Sequence, residues 1–189
     1  MAYGDHVERR SGGIVRSLIS WVMFFVTMFV MVWVIQNFIV RAYVIPSGSM
    51  ESTIEINDHV WSEKVSYYFR DIEYGDIVTF DDPEVAGRTL IKRVIATEGQ
   101  TVDLIDGYVY VDGVQLDEPY TKGQLSEPLD TAANVTVSYP YTVPEGCIWV
   151  MGDNRTHSAD SRYFGPVSVS SVSGRAAIIY WPIENIGVF

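Results

Sequence analysis

The hydrophobic pattern changes period once along the chain, and that change divides it. Over residues 17–40 no charge occurs, and apolar side chains dominate from Leu18 through Ile35. No polar stripe recurs at helical spacing, so a soluble amphipathic helix fits poorly. As a helix the segment covers roughly 36 Å, slightly more than a hydrocarbon core of about 30 Å. A cleavable leader would carry a shorter apolar run, about 7–15 residues, ending in small side chains. Here the run continues into Phe38-Ile39-Val40-Arg41. The segment is expected to remain as a single transmembrane helix.

Beyond Arg41 the runs are short and rich in β-branched and aromatic residues: Val60-Trp61, residues 77–80, residues 90–95, residues 102–105, residues 108–111, residues 135–139, residues 147–151 and residues 176–181. Turn formers separate them, among them Tyr74-Gly75-Asp76, Glu98-Gly99-Gln100, Asp112-Gly113 and Pro144-Glu145-Gly146. Asp106-Gly107 between two alternating runs predicts a two-residue hairpin. The pattern predicts a largely β domain, with helix confined to single turns near residues 63–68 and 168–173. Residues 116–133 are polar, hold two prolines and read as a long surface excursion.

Charge adds orientation. Formal net charge is -11, yet Arg9, Arg10 and Arg16 precede the apolar segment and only Arg41 follows it closely. Positive residues stay in the cytoplasm, so residues 1–16 are expected there as a short tail. Residues 17–40 are then expected to cross the membrane, and 41–189 to form an extracytoplasmic β-rich domain, large enough for a core of its own. An acidic domain repels phosphate backbones, which argues against nucleic acid. Cys147 is the only cysteine, so no internal disulfide forms. Its setting suits a small apolar filler better than a nucleophile.

Three polar clusters could carry chemistry. Pro46-Ser47-Gly48-Ser49-Met50 is a tight turn able to present a hydroxyl, or simply the linker leaving the membrane. Lys92 lies in an apolar strand, sharing a face with Leu90 and Val94, while Arg93 takes the other face. An amine buried there would fall from about 10.4 towards 7 and could take a proton from serine. The alternative is an edge lysine that guards against aggregation. The stretch from Gly152 to Tyr163 packs carboxylates, arginines and hydroxyls together. That predicts an internally bonded scaffold in which Asp160 pairs with Arg155 or Arg162.

A serine–histidine–aspartate arrangement is poorly served. His6 falls in the cytoplasmic tail, His59 lies in a polar turn, and no Gly-x-Ser-x-Gly elbow accompanies His157. The histidines and carboxylates show no metal-ligand spacing, so no metal is expected.

Taken together the clusters resemble the type I signal peptidases, serine–lysine proteases, of the bacterial branch. The resemblance rests on residues 47–50, 74–80, 91–95 and 110–113, and on Gly152-Asp153-Asn154-Arg155 through Ser158-Ala159-Asp160-Ser161-Arg162, in the family's order. It implies a mostly β fold with a coiled sheet around a catalytic groove. By that match Ser49 is the nucleophile and Lys92 the general base. The Ser47 hydroxyl and the Ser49 backbone N–H hold the oxyanion. Ser158 orients the lysine, Gly152 is a small residue beside it, and Asp160 and Arg162 form a structural pair. The ER-type branch has histidine where Lys92 stands. The chain departs from the family at Ser52 and Glu98, where proline is usual, and at Thr156-His157, where an acidic residue and an amide are common. These departures bear on loop rigidity.

The implied function is removal of N-terminal signal peptides from exported preproteins at the plasma membrane, after small residues and without a cofactor. The implied partners are signal peptides, the bilayer and the secretion machinery. Trp61, Tyr67, Tyr68 and Phe69 either touch the membrane interface or pack in the core. Two other functions fit the same residues less well. A self-cleaving repressor would need a DNA-binding domain and a basic surface. A non-catalytic membrane-tethered β-domain that binds a partner leaves Ser49 and Lys92 without purpose.

Overall fold

A computed structural model describes residues 11–189. His6 and most of the tail at 1–16 lie outside the described residues. The chain separates into two units with the boundary between Ile39 and Val40. The first is a helix, α1 (Ser11–Val34), closed by a π-helical turn over Ile35–Ile39. Its apolar stretch Val15–Val34 has a mean hydropathy of 2.2, and none of it is buried. An uncovered apolar surface of this length needs a non-aqueous neighbour. Against the expected span of 17–40, α1 already includes residues 11–16, and the chain leaves α-helix after Val34 for the π-helical turn and enters a strand at Val40.

The second unit is built on antiparallel strands: β1 (Val40–Val44), β2 (His59–Glu63), β3 (Ile77–Asp81), β4 (Thr89–Thr97), β5 (Thr101–Ile105), β6 (Tyr108–Val111), β7 (Val114–Gln115), β8 (Tyr141–Thr142), β9 (Cys147–Met151), β10 (Val167–Ser168), β11 (Val172–Trp181) and β12 (Gly187–Val188). The larger sheet runs β1-β2-β11-β3-β4-β9-β10, with β12 added to β11. The smaller runs β7-β6-β5-β8. Helix is limited to α2 (Ser161–Phe164) and isolated 3-10 turns, including Val65–Tyr68 and Val169–Ser171 where single turns were expected.

Strand β4 joins the parts. Its first half pairs with β3, its second half with β9, and the turn after Thr97 delivers the chain into β5 of the smaller sheet. Asp106 and Gly107 both take positive φ, 52° and 82°, as a two-residue turn matched to strand twist requires. Three apolar clusters fill the interior. One gathers Ile45, Met50, Ile54, Val60, Ile77 and Ile91; a second surrounds Trp149 and Met151; a third surrounds Phe80, Val94 and Phe164.

Two expectations change. Residues 135–139 form no strand. Val137 and Tyr139 still pack against the Trp149 cluster, so alternation reported burial and not sheet pairing. Pro140 supplies no N–H, and β5 takes Tyr141–Thr142 as its edge partner instead. The 116–133 excursion is not simply a surface loop: Thr121, Ser126 and Ala132 are buried.

Candidate active site

Ser49 reaches the interior because its neighbours are apolar. Past β1, Ile45 N–H donates to Asp58 O at 2.9 Å and its side chain enters the first cluster. A 3-10 turn follows over Gly48–Met50, and Met50 and Ile54 are fully buried. These two anchors draw the intervening turn against β4, and Ser49 is left 8% exposed. Ser47, at the start of the turn, is extended and exposed.

Lys92 comes from the middle of β4, opposite Val78 of β3. It is 2% exposed. Its Nζ lies 2.7 Å from Ser49 Oγ and 2.9 Å from Ile91 O. Both partners are neutral. Burial pulls the amine from 10.5 down to about 8, while the negative charges of Asp160, Asp82 and Asp153 oppose the shift. A lysine at that value is partly deprotonated near neutrality, and its lone pair can then accept the serine proton.

The polar stretch that begins at Gly152 backs this pair. A Cβ on Gly152 would collide with the Ser158 side chain and stand 2.5 Å from Ser49 O, so only glycine permits the approach. Ser158 is buried there, and its Oγ has no hydrogen-bond partner. Lys92 does not bond to it in this arrangement. Asp160 takes Arg162 in a two-pronged pair, both contacts 2.9 Å, and also accepts from Gly152 N–H at 3.0 Å. Of the two arginines considered for Asp160, Arg162 is therefore the partner. Arg155 instead donates twice to Glu118, at 2.8 and 2.6 Å, and once to Ser126. That pairing brings the 116–133 excursion against the site.

Sequence reasoning gave no role to two residues of this stretch, Asp153 and Asn154. Asp153 is fully buried and grips Arg93 through both oxygens, at 2.8 and 2.6 Å, while Thr53 donates to it at 2.5 Å. A signal existed: Arg93 follows Lys92 in an apolar strand, and a second carboxylate was free in the polar stretch. Asn154 donates from Nδ2 to Gly48 O at 2.9 Å and to Glu51 Oε2 at 3.0 Å. The motif at residues 152–155 contains it, but no local pattern pointed to a partner 106 positions away.

The histidines stand apart. His59 Nδ1 lies 3.3 Å from the Tyr180 hydroxyl, and His157 is exposed. Among the described residues no group of three or more His, Cys, Asp or Glu converges on one point.

Residues 18–181 match the model of the family described as signal peptidase, peptidase S26. The chain belongs to that family. It is 39% identical over 160 residues to the "Probable signal peptidase I-2" of Synechocystis sp., covering 82% of this chain and 69% of that protein. It is 36% identical over 160 residues to the signal peptidase I of Leptolyngbya laminosa, covering 81% and 74%. With the thylakoidal processing peptidase 1 of Arabidopsis thaliana it shares 35% identity over 152 residues, 75% of this chain and 42% of the plant protein. The peptidase S26 family is one of hydrolases, serine endopeptidases. Against that background Ser52 acquires a meaning. Its φ is 84°, which proline cannot adopt, and its Oγ donates to Tyr120 O at 2.7 Å. That bond ties the turn after Met50 to the 116–133 excursion.

Proposed function

We propose that this peptidase S26 chain removes signal peptides from exported preproteins by a Ser49–Lys92 dyad, anchored in the plasma membrane by α1. The observation that carries the reading is a buried amine 2.7 Å from a buried hydroxyl, with a second hydrogen bond to a carbonyl and none to a carboxylate. Neutral Lys92 takes the Ser49 proton as Oγ forms its bond to the scissile carbonyl. The Ser47 hydroxyl and the Ser49 N–H hold the resulting oxyanion. On collapse the C–N bond breaks and the lysine proton passes to the leaving amine. Water, deprotonated by the same lysine, then releases the acyl group. Ser158, packed against Gly152, orients the amine when substrate closes the site. Asp160 and Arg162 keep that loop in shape.

The arginine bias across residues 9–41 supports a cytoplasmic N-terminus with residues 41–189 outside. Trp61, Tyr68 and Phe69 are exposed enough to meet lipid headgroups, whereas Tyr67 packs on the Phe80 cluster. The secretion machinery is the expected source of substrate. Incubating the detergent-solubilised protein with a preprotein tests the scheme. Wild-type protein cleaves it, and Ser49→Ala and Lys92→Ala each lose at least ~10³-fold in rate while keeping their fold. Retained cleavage in either variant overturns the dyad.

A further inference from the structure

Asn154 takes both main-chain carbonyls that flank the proposed nucleophile. Its Nδ2 donates to Gly48 O at 2.9 Å, and its backbone N–H donates to Ser49 O at 3.1 Å. The first contact matters most. The Gly48 carbonyl and the Ser49 N–H belong to one peptide unit, which is planar and rigid. Fixing the oxygen at one side of that plane fixes the direction of the N–H at the other. A donor on the carbonyl also polarises the unit and makes its N–H a stronger donor. The second contact holds the following peptide, so the backbone at residue 49 is gripped on both sides.

Asn154 is itself restrained. It is 8% exposed, and its Nδ2 also donates to Glu51 Oε2 at 3.0 Å. The Glu51 carboxylate folds over the Cα of Gly48, filling the place a side chain there would occupy. Asp153, the preceding residue, is locked on Arg93. The amide therefore approaches the turn from a base that cannot rotate freely.

We propose that Asn154 is a positioning residue that aims the Ser49 N–H at the developing oxyanion. The inference rests on the peptidase reading, and it concerns a residue that the resemblance left without a role. An oxyanion donor removed outright costs about 10²–10³-fold in kcat. Without the amide, Gly48 O keeps only the Glu51 N–H at 3.1 Å, and a donor left in place but less firmly aimed should cost less, about 10–100-fold, and only in the transition state.

The test uses the full chain in detergent, a cleavable peptide and two inhibitors of the same sequence. One is a peptide aldehyde. Ser49 Oγ adds to its carbonyl, the π bond becomes an oxyanion, and the serine proton goes to Lys92. The other is the matching peptide alcohol, which fills the same subsites and generates no oxyanion. Asn154→Ala is expected to lower kcat about 10–100-fold with KM within about threefold of wild type. It should weaken the aldehyde by a similar factor and leave the alcohol unchanged. Asn154→Asp has the same shape and sets a carboxylate against Gly48 O and Glu51, so it should lose at least as much; it serves where the alanine variant fails to fold. Unchanged kcat, or equal weakening of aldehyde and alcohol, overturns the inference. Ser49→Ala run alongside separates the two levels. An active Ser49→Ala protein defeats the peptidase reading, whereas an inactive one beside a fully active Asn154→Ala defeats only the role given to Asn154.

Discussion

Lys92 and Arg93 are neighbours on β4, and the two regions they enter treat a buried cation in opposite ways. Arg93 enters the polar loop and meets the fully buried Asp153 through two short contacts. Arg155 and Arg162, each about 1% exposed, are likewise matched to Glu118 and Asp160. Lys92 is buried as deeply but faces only a hydroxyl and a carbonyl. Charge in the first region is neutralised by geometry. In the second, nothing neutralises it, so the amine itself gives way and its affinity for a proton falls. A guanidinium could not do this, since it stays charged under any ordinary condition. The lesson is a division of labour within one strand. Paired arginines hold the scaffold, and under the proposed mechanism the unpaired lysine is made reactive by the dryness that scaffold maintains.

Breaking the scaffold side should have the largest effect on stability. Asp160→Ala leaves Arg162 buried without its carboxylate and Gly152 N–H without its acceptor. A cost of about 3–5 kcal/mol is expected in denaturant unfolding. A loss under about 1 kcal/mol would mean the pair is replaceable.

Removing the unpaired charge should do the reverse. In the native state Lys92 titrates at about 8, below its ordinary 10.5. Below pH 8 both native and unfolded chains carry the proton, and the native state bears the full cost of burying it. Between about 8 and 10.5 the native amine is already neutral while the unfolded one is not, so the cost is progressively relieved as pH rises. Lys92→Met is therefore expected to be inactive yet more stable than wild type by about 3 kcal/mol at pH 6. The advantage should fade above pH 8. Wild-type activity should climb with pH through a midpoint of about 8. Equal stability of the two proteins across that range would contradict the burial argument.

The smallest effect belongs to the contact between the regions. Ser52→Gly removes the hydroxyl bonded to Tyr120 O without straining a backbone at φ 84°. A loss of about 1 kcal/mol or less is expected, read in the same unfolding experiment.

Much of the architecture could be read from residue types because it is local. Asp106-Gly107 makes its hairpin through two positive φ values, which those residues accept readily. The uncharged run at 17–40 is legible because a long apolar helix has few other places to go. Residues 135–139 misled because alternate burial is shared by strands and by covering segments. Within the site, Ser49, Lys92, Asp160 and Arg162 could be nominated from their motifs. The choice of Arg162 over Arg155, the grip of Asp153 on Arg93 and the hold of Asn154 on the Gly48–Met50 turn could not.

What the sequence determined by itself, then, is where the apolar helix and most of the longer strands lie, and which groups are available for chemistry. These follow from propensity and spacing over a few residues. Tertiary structure alone decided which charge meets which. The contacts at the site link Ser49 with Lys92 across 43 positions, Arg93 with Asp153 across 60 and Gly48 with Asn154 across 106. A pairing over such separations is set by how whole sheets pack and by which polar groups water can no longer reach. No local pattern encodes that outcome, because each partner would be equally content with solvent until the fold removes it.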